Sequence, residues 1–297
     1  MKAFSFTNEK GLLQIGVELQ GQAFNFSQAW EIYKEIKSRG KGPSLNLLQI
    51  MVETDFFYLD TFQEVFQTIR ESRPIENLKL TSHFRFSSPI GRPQKIICIG
   101  RNYSAHAEEL GNVVPDEPIF FSKSPSAITG HEGAIRIPEG VGRVDYEGEL
   151  AVVIGKRARG ISRDRAFDFI AGYTILNDVT ARELQKADFK EAKPWFRSKS
   201  FDTFCPIGPF LVPKDAIANL ADLELEVRVN NERKQFARLA QMLFDVPGLV
   251  AYLSRYLTLE PGDVVATGTP EGVGPLRPGD VVECEITQLG TLRNPVQ

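Results

Sequence analysis

The first 80 residues carry two patterns of hydrophobic positions, one typical of strands and one typical of helices. Two β-prone runs around a polar, glycine-containing turn predict a hairpin over residues 4–19. Apolar positions at helical spacing then predict three helices. The first opens at Ser27 and closes at Gly40, and the second lies near Leu45–Val52. The third begins at Asp60 or Thr61, with Glu64 completing a capping box. We expect residues 1–80 to form a small α+β domain that serves packing, dimerisation or a lid.

From about Phe84 onward, short β-type runs are separated by Gly and Pro. They predict strands within residues 95–100, 134–138, 149–155, 172–179, 223–231, 263–268 and 281–287, and short helices at Ser104–Leu110, Arg163–Ile170, Ala181–Ala187 and Val246–Tyr256. The strands outnumber the helices and do not alternate with them as βαβ units would. The pattern therefore predicts an α+β, predominantly β fold over residues 84–297, and it argues against a Rossmann sheet or a TIM barrel.

Composition narrows the class of protein without indicating its chemistry. The 297 residues carry a net charge of −3 and are 42% hydrophobic, so neither extended disorder nor a global field for nucleic acid or an anionic membrane is expected. No run of 18 apolar residues and no signal-peptide core is present, which favours a cytoplasmic protein. Cys98, Cys205 and Cys284 lack metal-type spacing, and we expect reduced, mostly buried thiols.

The strongest local signal is the acidic string DYEGE at residues 145–149, which runs into a strand. Glu147 and Glu149 point to the same face because strand side chains alternate. Acidic alternation on the solvent face of an edge strand explains the spacing about equally well. Asp178 ends another β run and is either the N-cap of the next helix or a third carboxylate at a strand end. Three carboxylates would form an all-oxygen site suited to Mg²⁺, Mn²⁺ or Ca²⁺ rather than Zn²⁺.

A second signal is the histidine in GRNYSAHAEE, at residues 100–109. His106 and Glu109 are spaced i and i+3 on a short predicted helix, close enough for the carboxylate to orient the imidazole as a general base. A lone histidine is more often an ordinary surface or packing residue. His83 and His131 have no such partner, and we assign them that ordinary role.

A third group of polar residues is basic and loop-like. Lys123 and Lys199 each precede a serine, although isolated lysines are nearly always solvated. The glycine-rich stretch at residues 267–274 follows a predicted strand. Its N–H groups and hydroxyls suit a bound carboxylate, and a plain tight turn explains the stretch equally well.

These signals occur within six ordered strings, which are GRNYSAHAEEL, FFSKSPSAITG, VDYEGELAVVIGK, GYTILNDVTARELQ, SKSFDTFCPIGP and ATGTPEGVG. Together they resemble the fumarylacetoacetate hydrolase superfamily over about residues 93–290. The resemblance implies a mixed β-roll catalytic domain of twisted sheets with short helices, usually a homodimer. The N-terminal 80 residues look like the variable appendage of longer members.

The resemblance also implies roles for individual residues. It assigns Glu147, Glu149 and Asp178 to Mg²⁺ or Mn²⁺, with Ca²⁺ as a substitute in crystals, and it assigns His106, Glu109 and Lys199 to catalysis. The substrate-binding residues would be Arg101, Tyr103, Lys123, Gln185 and Thr269. One position departs from the common pattern, because Ser198 stands where relatives commonly have Gly before the lysine. We expect this serine to stiffen the loop or to alter its approach to the substrate.

The implied substrate is a small anionic keto acid. We favour a metal-dependent hydrolase that cleaves a carbon–carbon bond in 2,4-diketo acids of the acylpyruvate or fumarylpyruvate type, through an enolate stabilised by the metal, because the His–Glu pair for activating water is complete. The alternative is an oxaloacetate decarboxylase or tautomerase, or a 2-hydroxyhepta-2,4-diene-1,7-dioate isomerase, on the same scaffold. A non-catalytic binding protein is disfavoured because all the matched polar residues are present.

Overall fold

The chain is described by a computed structural model that covers residues 1–38, 40–45, 47–80, 84–109 and 113–297. The strands are β1 (Lys2–Thr7), β2 (Leu13–Leu19), β3 (Gln22–Asn25), β4 (Arg85–Ser87), β5 (Ile96–Gly100), β6 (Ile119–Lys123), β7 (Ile128–Thr129), β8 (Val144–Tyr146), β9 (Gly148–Ile154), β10 (Ile170–Asn177), β11 (Thr180–Ala181), β12 (Cys205–Pro213), β13 (Glu224–Val229), β14 (Glu232–Arg238), β15 (Val264–Ala266), β16 (Gly274–Leu276), β17 (Val281–Ile286) and β18 (Gly290–Pro295). The α-helices are α1 (Phe26–Ser38), α2 (Leu48–Glu53), α3 (Leu59–Ser72), α4 (Ser104–Glu109), α5 (Arg182–Lys190), α6 (Phe196–Lys199) and α7 (Val246–Tyr256).

A large mixed sheet organises the molecule. Its main path runs β3-β2-β1-β12-β10-β9-β15-β5-β6, with β4 paired to β1 and β7 paired to β12. Most neighbours are antiparallel, whereas β15 is parallel to β5 and β7 is parallel to β12. Two smaller sheets complete the fold, in the orders β11-β8-β16 and β14-β13-β17-β18. The α+β, predominantly β fold expected from the sequence is confirmed.

Strand β9 shows how the core is divided. All seven of its residues are buried. Leu150, Val152 and Ile154 pack in one hydrophobic cluster with the sheet β14-β13-β17-β18 and α7. Ala151 and Val153, on the opposite face, pack in a second cluster with α1, α2 and α3. A strand covered on both faces reads as a continuous apolar run, which is why the sequence marks it so clearly.

The predicted N-terminal hairpin and three helices are present, whereas β3 was not predicted and one helix start differs. Helix α3 begins at Leu59, after Tyr58, so the predicted cap at Asp60 or Thr61 is wrong. The Leu59 N–H donates instead to the Asp215 carboxylate, at 3.2 Å from Oδ2. The Glu64 carboxylate, predicted to complete the capping box, accepts a hydrogen bond of 2.6 Å from the Tyr33 hydroxyl. A capping carboxylate that is 156 positions away in the chain leaves no local signal.

The N-terminal elements join the large sheet directly, because β1 pairs with β12. They also share one hydrophobic cluster with β9 and β15. Residues 81–83, between the two predicted domains, lie outside the described residues. The division into domains 1–80 and 84–297 stays a prediction.

Two further predictions from the pattern differ from the structure, and several strands, β12 among them, were not predicted. Residues 134–138 form no strand, since Ile135 makes only an isolated bridge to Val296. The predicted helix at Arg163–Ile170 is a 3-10 segment, Arg163–Phe169. Strand β12 was missed because its prolines, which cannot donate to a ladder, make the run look like a loop.

The thiols of Cys98, Cys205 and Cys284 are buried and form no disulfide, as expected. Among the described residues, no helix combines the length and the apolar character that crossing a membrane requires.

Candidate active site and metal centre

Three carboxylates meet where strands β8, β9 and β10 end or begin. Glu147 lies between β8 and β9, Glu149 lies within β9, and Asp178 follows β10. The antiparallel pairing of β9 with β10 brings Gly148 opposite Asn177. Just beyond that pair, the Asp178 N–H donates to the Glu147 carbonyl at 2.7 Å. Oxygens of the three carboxylates consequently lie within 4.8 Å of one another.

This geometry decides the alternatives that the sequence left open. Glu147, Glu149 and Asp178 are 5%, 1% and 1% exposed, and β9 lies between β10 and β15, so they do not form the solvent face of an edge strand. Asp178 is not a helix cap, because α5 begins at Arg182 and follows Ala181. The predicted convergence of three carboxylates is confirmed.

Two buried lysines neutralise Glu147 and Asp178. Lys199, at the end of α6, donates to Oε2 of Glu147 at 2.8 Å and to Oδ2 of Asp178 at 2.5 Å. Lys123, at the end of β6, donates to Oδ1 of Asp178 at 2.6 Å. Burial alone would lower the pKa of Lys199, but the charges of Asp178 and Glu147 outweigh burial and raise it above its usual range. Lys199 is therefore an ammonium ion, and both lysines are buried, contrary to the ordinary solvated role of an isolated lysine.

Arg182, at the start of α5, is a third cation of the site that sequence reasoning missed. Its guanidinium donates to Oδ2 of the buried Asp145 at 2.7 Å and also binds Glu147. A further N–H donates to Oε1 of Gln185 at 2.7 Å, three residues along the same helix. The string TARELQ contains this i, i+3 pair, and the excess of carboxylates in DYEGE signals the need for a cation.

The pKa values of Glu147 and Glu149 are shifted in opposite directions. Burial would raise the pKa of Glu147, but Lys199, Arg182 and His106 outweigh burial and hold that pKa well below its usual range. Glu149 is the opposite case. Burial, with the negative charges of Asp178 and Glu147, raises its pKa well above the usual range.

Glu149 has no cationic partner among the described residues. Its Oε2 accepts a hydrogen bond of 2.7 Å from the Gly268 N–H. Gly268 has φ +94°, and a Cβ there would lie 2.8 Å from the Cβ of Asn102, so this close approach requires glycine. A buried carboxylate that lacks a cation beside two other carboxylates fits a hard divalent cation held by oxygen ligands.

His106 lies on α4, at the C-terminal end of β5, and is 5% exposed. Burial lowers its pKa, although Glu147 and Glu109 oppose the shift, so its imidazole is neutral at pH 7. Its Nδ1 lies 3.5 Å from Oε2 of Glu109 and makes no hydrogen bond with any described residue. The Glu109 carboxylate accepts from the Gly272 N–H at 3.1 Å, which ties α4 to the glycine-rich loop.

That loop is anchored by a residue with no signal in the sequence. Gln235, on β14, donates to Oγ1 of Thr269 at 2.9 Å and accepts from the Gly148 N–H at 3.1 Å. The Thr269 hydroxyl donates to the Gly148 carbonyl at 2.8 Å. The loop is thus locked onto the start of β9, beside Glu147 and Glu149.

These groups line one cavity of about 400 Å³. Of the residues predicted from the sequence, its lining includes Arg101, His106, Glu109, Glu147, Glu149, Asp178, Gln185, Lys199 and Thr269. Lys123 and Tyr103 are not in that lining. Lys123 binds Asp178 and the Val179 carbonyl, and the Tyr103 hydroxyl is buried with no hydrogen-bond partner among the described residues. The individual roles implied by the resemblance stay predictions.

The remaining predicted positions lie outside the cavity. Ser198 is buried, and its hydroxyl donates to the Trp195 carbonyl at 2.8 Å, a bond that glycine would lack. His131 accepts from the Arg293 N–H at 3.1 Å and has no part in the site. His83 lies outside the described residues.

Comparison with known proteins finds relatives that are enzymes. An oxaloacetate tautomerase of Bacillus subtilis is 46% identical over 226 residues, which cover 72% of this chain and 74% of the relative. A mitochondrial oxaloacetate tautomerase of Xenopus laevis is 43% identical over 247 residues, which cover 80% of this chain and 77% of the relative.

Solved structures extend the likeness to the N-terminal 80 residues. A fumarylacetoacetate hydrolase from Exiguobacterium antarcticum has a TM-score of 0.82 and 35% identity, covering 100% of this chain and 99% of the other. A maleylpyruvate hydrolase from a Sphingobium species, in complex with manganese(II) and pyruvate, has a TM-score of 0.76 and 29% identity, with coverage of 100% and 98%.

Residues 95–297 match the family described as fumarylacetoacetate (FAA) hydrolase C-terminal. That range contains the carboxylates, the lysines, His106 and the glycine-rich loop. The chain therefore belongs to the fumarylacetoacetate hydrolase family.

Proposed function

We propose that this protein is a metal-dependent tautomerase that interconverts the keto and enol forms of oxaloacetate or of a similar 2-oxo dicarboxylic acid. The observation that carries the proposal is a neutral, buried His106 in the same cavity as a carboxylate triad suited to a divalent cation. The identity of 46% and 43% to two oxaloacetate tautomerases supports this substrate.

The cation would be Mg²⁺ or Mn²⁺, held by Glu147, Glu149 and Asp178. When bound, it supplies Lewis-acid stabilisation of negative charge on the 2-oxygen of the substrate. Lys199, which lies against two of these carboxylates, places a fixed positive charge beside the same end of the substrate. The inner end of the cavity therefore favours a 2-oxo carboxylate group.

His106 provides the proton transfer. Its Nδ1 faces Glu109, which leaves Nε2 as the nitrogen that takes the proton. In the keto-to-enol direction Nε2 accepts a proton from C3, and in the reverse direction it returns that proton to C3. The 2-oxygen exchanges its own proton with solvent. Tautomerisation needs no attacking water, so it does not require a tight hydrogen bond between the Glu109 carboxylate and the His106 imidazole.

Hydrolysis of a carbon–carbon bond in a 2,4-diketo acid is the second candidate, because His106 and Glu109 lie 3.5 Å apart. A small rotation of the Glu109 side chain would bring its carboxylate into hydrogen-bonding distance of Nδ1, and Nε2 would then activate water. The likeness to a maleylpyruvate hydrolase supports this candidate.

A substrate screen distinguishes the two candidates. In the presence of Mg²⁺, the protein is incubated with each of four substrates in turn: acetylpyruvate, fumarylpyruvate, oxaloacetate and a 2-hydroxy-diene-dioate. Products are identified by mass spectrometry, and the enol form of oxaloacetate is followed by its ultraviolet absorbance. A tautomerase accelerates the enol–keto relaxation of oxaloacetate and leaves its mass unchanged. Formation of pyruvate from a diketo acid, without faster relaxation of oxaloacetate, would instead establish the hydrolase.

A further inference from the structure

Arg101 lies at the mouth of the cavity, immediately after β5, and lines it together with the triad. Burial lowers the pKa of its guanidinium, and no carboxylate among the described residues offsets that desolvation. Its backbone has φ +58°, a conformation that costs about 1 kcal/mol or more for a non-glycine residue. A partly desolvated cation without an anionic partner is suited to an anionic ligand.

Two aromatic side chains hold this guanidinium in place. The Cζ of Arg101 lies 5.9 Å from the ring centroid of Phe189 and 5.9 Å from that of Trp195. Trp195 packs closely on the backbone of Gly100, where a Cβ would lie 3.1 Å from the indole ring. Cation–π contacts of this kind orient an arginine without neutralising its charge.

The same aromatic group connects the mouth of the cavity to its inner end. The rings of Trp195 and Phe121 lie 5.3 Å apart and are nearly perpendicular. The ammonium of Lys199 lies 5.0 Å from the centroid of Phe121. The wall therefore has a cation at each end, Lys199 beside the triad and Arg101 at the mouth, with apolar rings between them.

Helix α5 adds positive charge to the mouth. Lys186 and Lys190 are spaced i and i+4, so they share one helix face, and both line the cavity. Neither forms an ion pair within the described part of the chain. A substrate with one carboxylate at the triad would therefore direct its other end toward a positively charged rim.

Building on the tautomerase function, we propose that Arg101, held by Phe189 and Trp195, binds the second carboxylate of a dicarboxylic substrate and so sets the preference for dicarboxylates. The positive charge at the mouth strengthens the binding of a ligand that has a carboxylate at its distal end. A methyl group at that position would gain nothing from the guanidinium and would leave it partly desolvated.

Binding of two unreactive ligands tests this preference without depending on catalysis. L-malate and 2-hydroxybutanoate differ only in having a carboxylate or a methyl group at the distal end. In the presence of Mg²⁺, titration calorimetry should show that the protein binds malate about 10- to 100-fold more tightly than 2-hydroxybutanoate. Arg101→Met should abolish most of this preference, because it should weaken the binding of malate and leave the binding of 2-hydroxybutanoate unchanged.

Two variants control the result. Arg159→Met makes the same substitution at an exposed arginine outside the cavity and should leave the preference unchanged. Phe189→Leu, at a side chain that is 61% exposed, should lower the affinity for malate by about two- to fivefold, because one cation–π contact to Arg101 is lost.

Equal affinities in the unsubstituted protein, or an equal loss for both ligands in Arg101→Met, would overturn the proposal. An Arg101-dependent preference for malate in a protein that does not accelerate oxaloacetate tautomerisation would support this binding site and refute the proposed reaction.

Discussion

The ammonium of Lys199 lies 2.8 Å from Oε2 of Glu147, so a buried lysine neutralises a carboxylate that is proposed to hold a metal ion. The same ammonium binds Asp178. Lys199 thus holds two of the three triad carboxylates together while they are buried. A divalent cation would share these oxygens with it.

We predict that Lys199→Met lowers the free energy of unfolding of the metal-free protein by about 3–5 kcal/mol, because it leaves buried carboxylates uncompensated. Added Mg²⁺ should restore more stability in this variant than it adds to the unsubstituted protein. Chemical denaturation with EDTA and with Mg²⁺ measures both effects. Lys186→Met, at a cavity lysine without an ion pair in the described residues, should change neither. Equal stabilisation by Mg²⁺ in Lys199→Met and the unsubstituted protein would refute this role.

Glu147→Gln and Glu149→Gln should both abolish Mg²⁺ binding, yet they should differ in their effect on the metal-free fold. Glu147 is ionised and paired with Lys199 and Arg182, so its neutralisation should cost about 3–5 kcal/mol. Glu149 has a raised pKa, and glutamine resembles its protonated form, so stability without metal should be unchanged or higher. Thermal denaturation in EDTA ranks the two variants, and the reverse ranking would contradict the assigned charges.

Metal binding should release a proton from Glu149. The pKa of Glu149 is raised in the folded state. Its contribution to the stability of the metal-free protein is therefore present below pH 4.5, which is its pKa in the unfolded chain, and is lost as pH rises through its folded-state pKa. A bound cation favours the ionised form, so Mg²⁺ affinity should increase as pH rises toward that folded value. Calorimetry in two buffers of different ionisation enthalpy counts the protons released. Binding without proton release would argue that Glu149 is already ionised.

His106→Ala should reduce kcat/KM for the proposed reaction by about 10²- to 10⁴-fold, as expected for loss of a general base. Since burial lowers the pKa of His106, the acid limb of kcat/KM should have its midpoint below 6.5 in the unsubstituted protein. The depressed pKa also means that stability from the neutral imidazole is lost as pH falls below 6.5. A midpoint above 6.5, or the same acid limb in His106→Ala, would exclude His106 as the base.

Much of the triad was visible in the sequence because its signals are local. Glu147 and Glu149 lie two positions apart on strand-forming sequence, and Asp178 ends an apolar run. The lysines, Gln185 and Thr269 depended on the family resemblance, since isolated positions carry no geometric information. Homodimerisation, which the resemblance also implied, stays a prediction.

What the sequence did not show depends on contacts between distant residues. Arg182 binds Asp145 across 37 positions, and Gln235 binds the Gly148 N–H across 87 positions. Strand β12 has prolines in its run, and only its place between β1 and β10 explains why it is extended. Periodicity specifies local structure, whereas such tertiary pairings override it.

The most direct test of the central claim follows the enol form of oxaloacetate by its ultraviolet absorbance after a freshly dissolved enol sample is added to the protein. With Mg²⁺, the protein should accelerate relaxation to the keto form, and stripping the metal with EDTA or introducing Glu149→Gln should return the rate to that of buffer containing the same additives. Full acceleration after EDTA treatment, or none with Mg²⁺ present, would contradict a metal-dependent tautomerase.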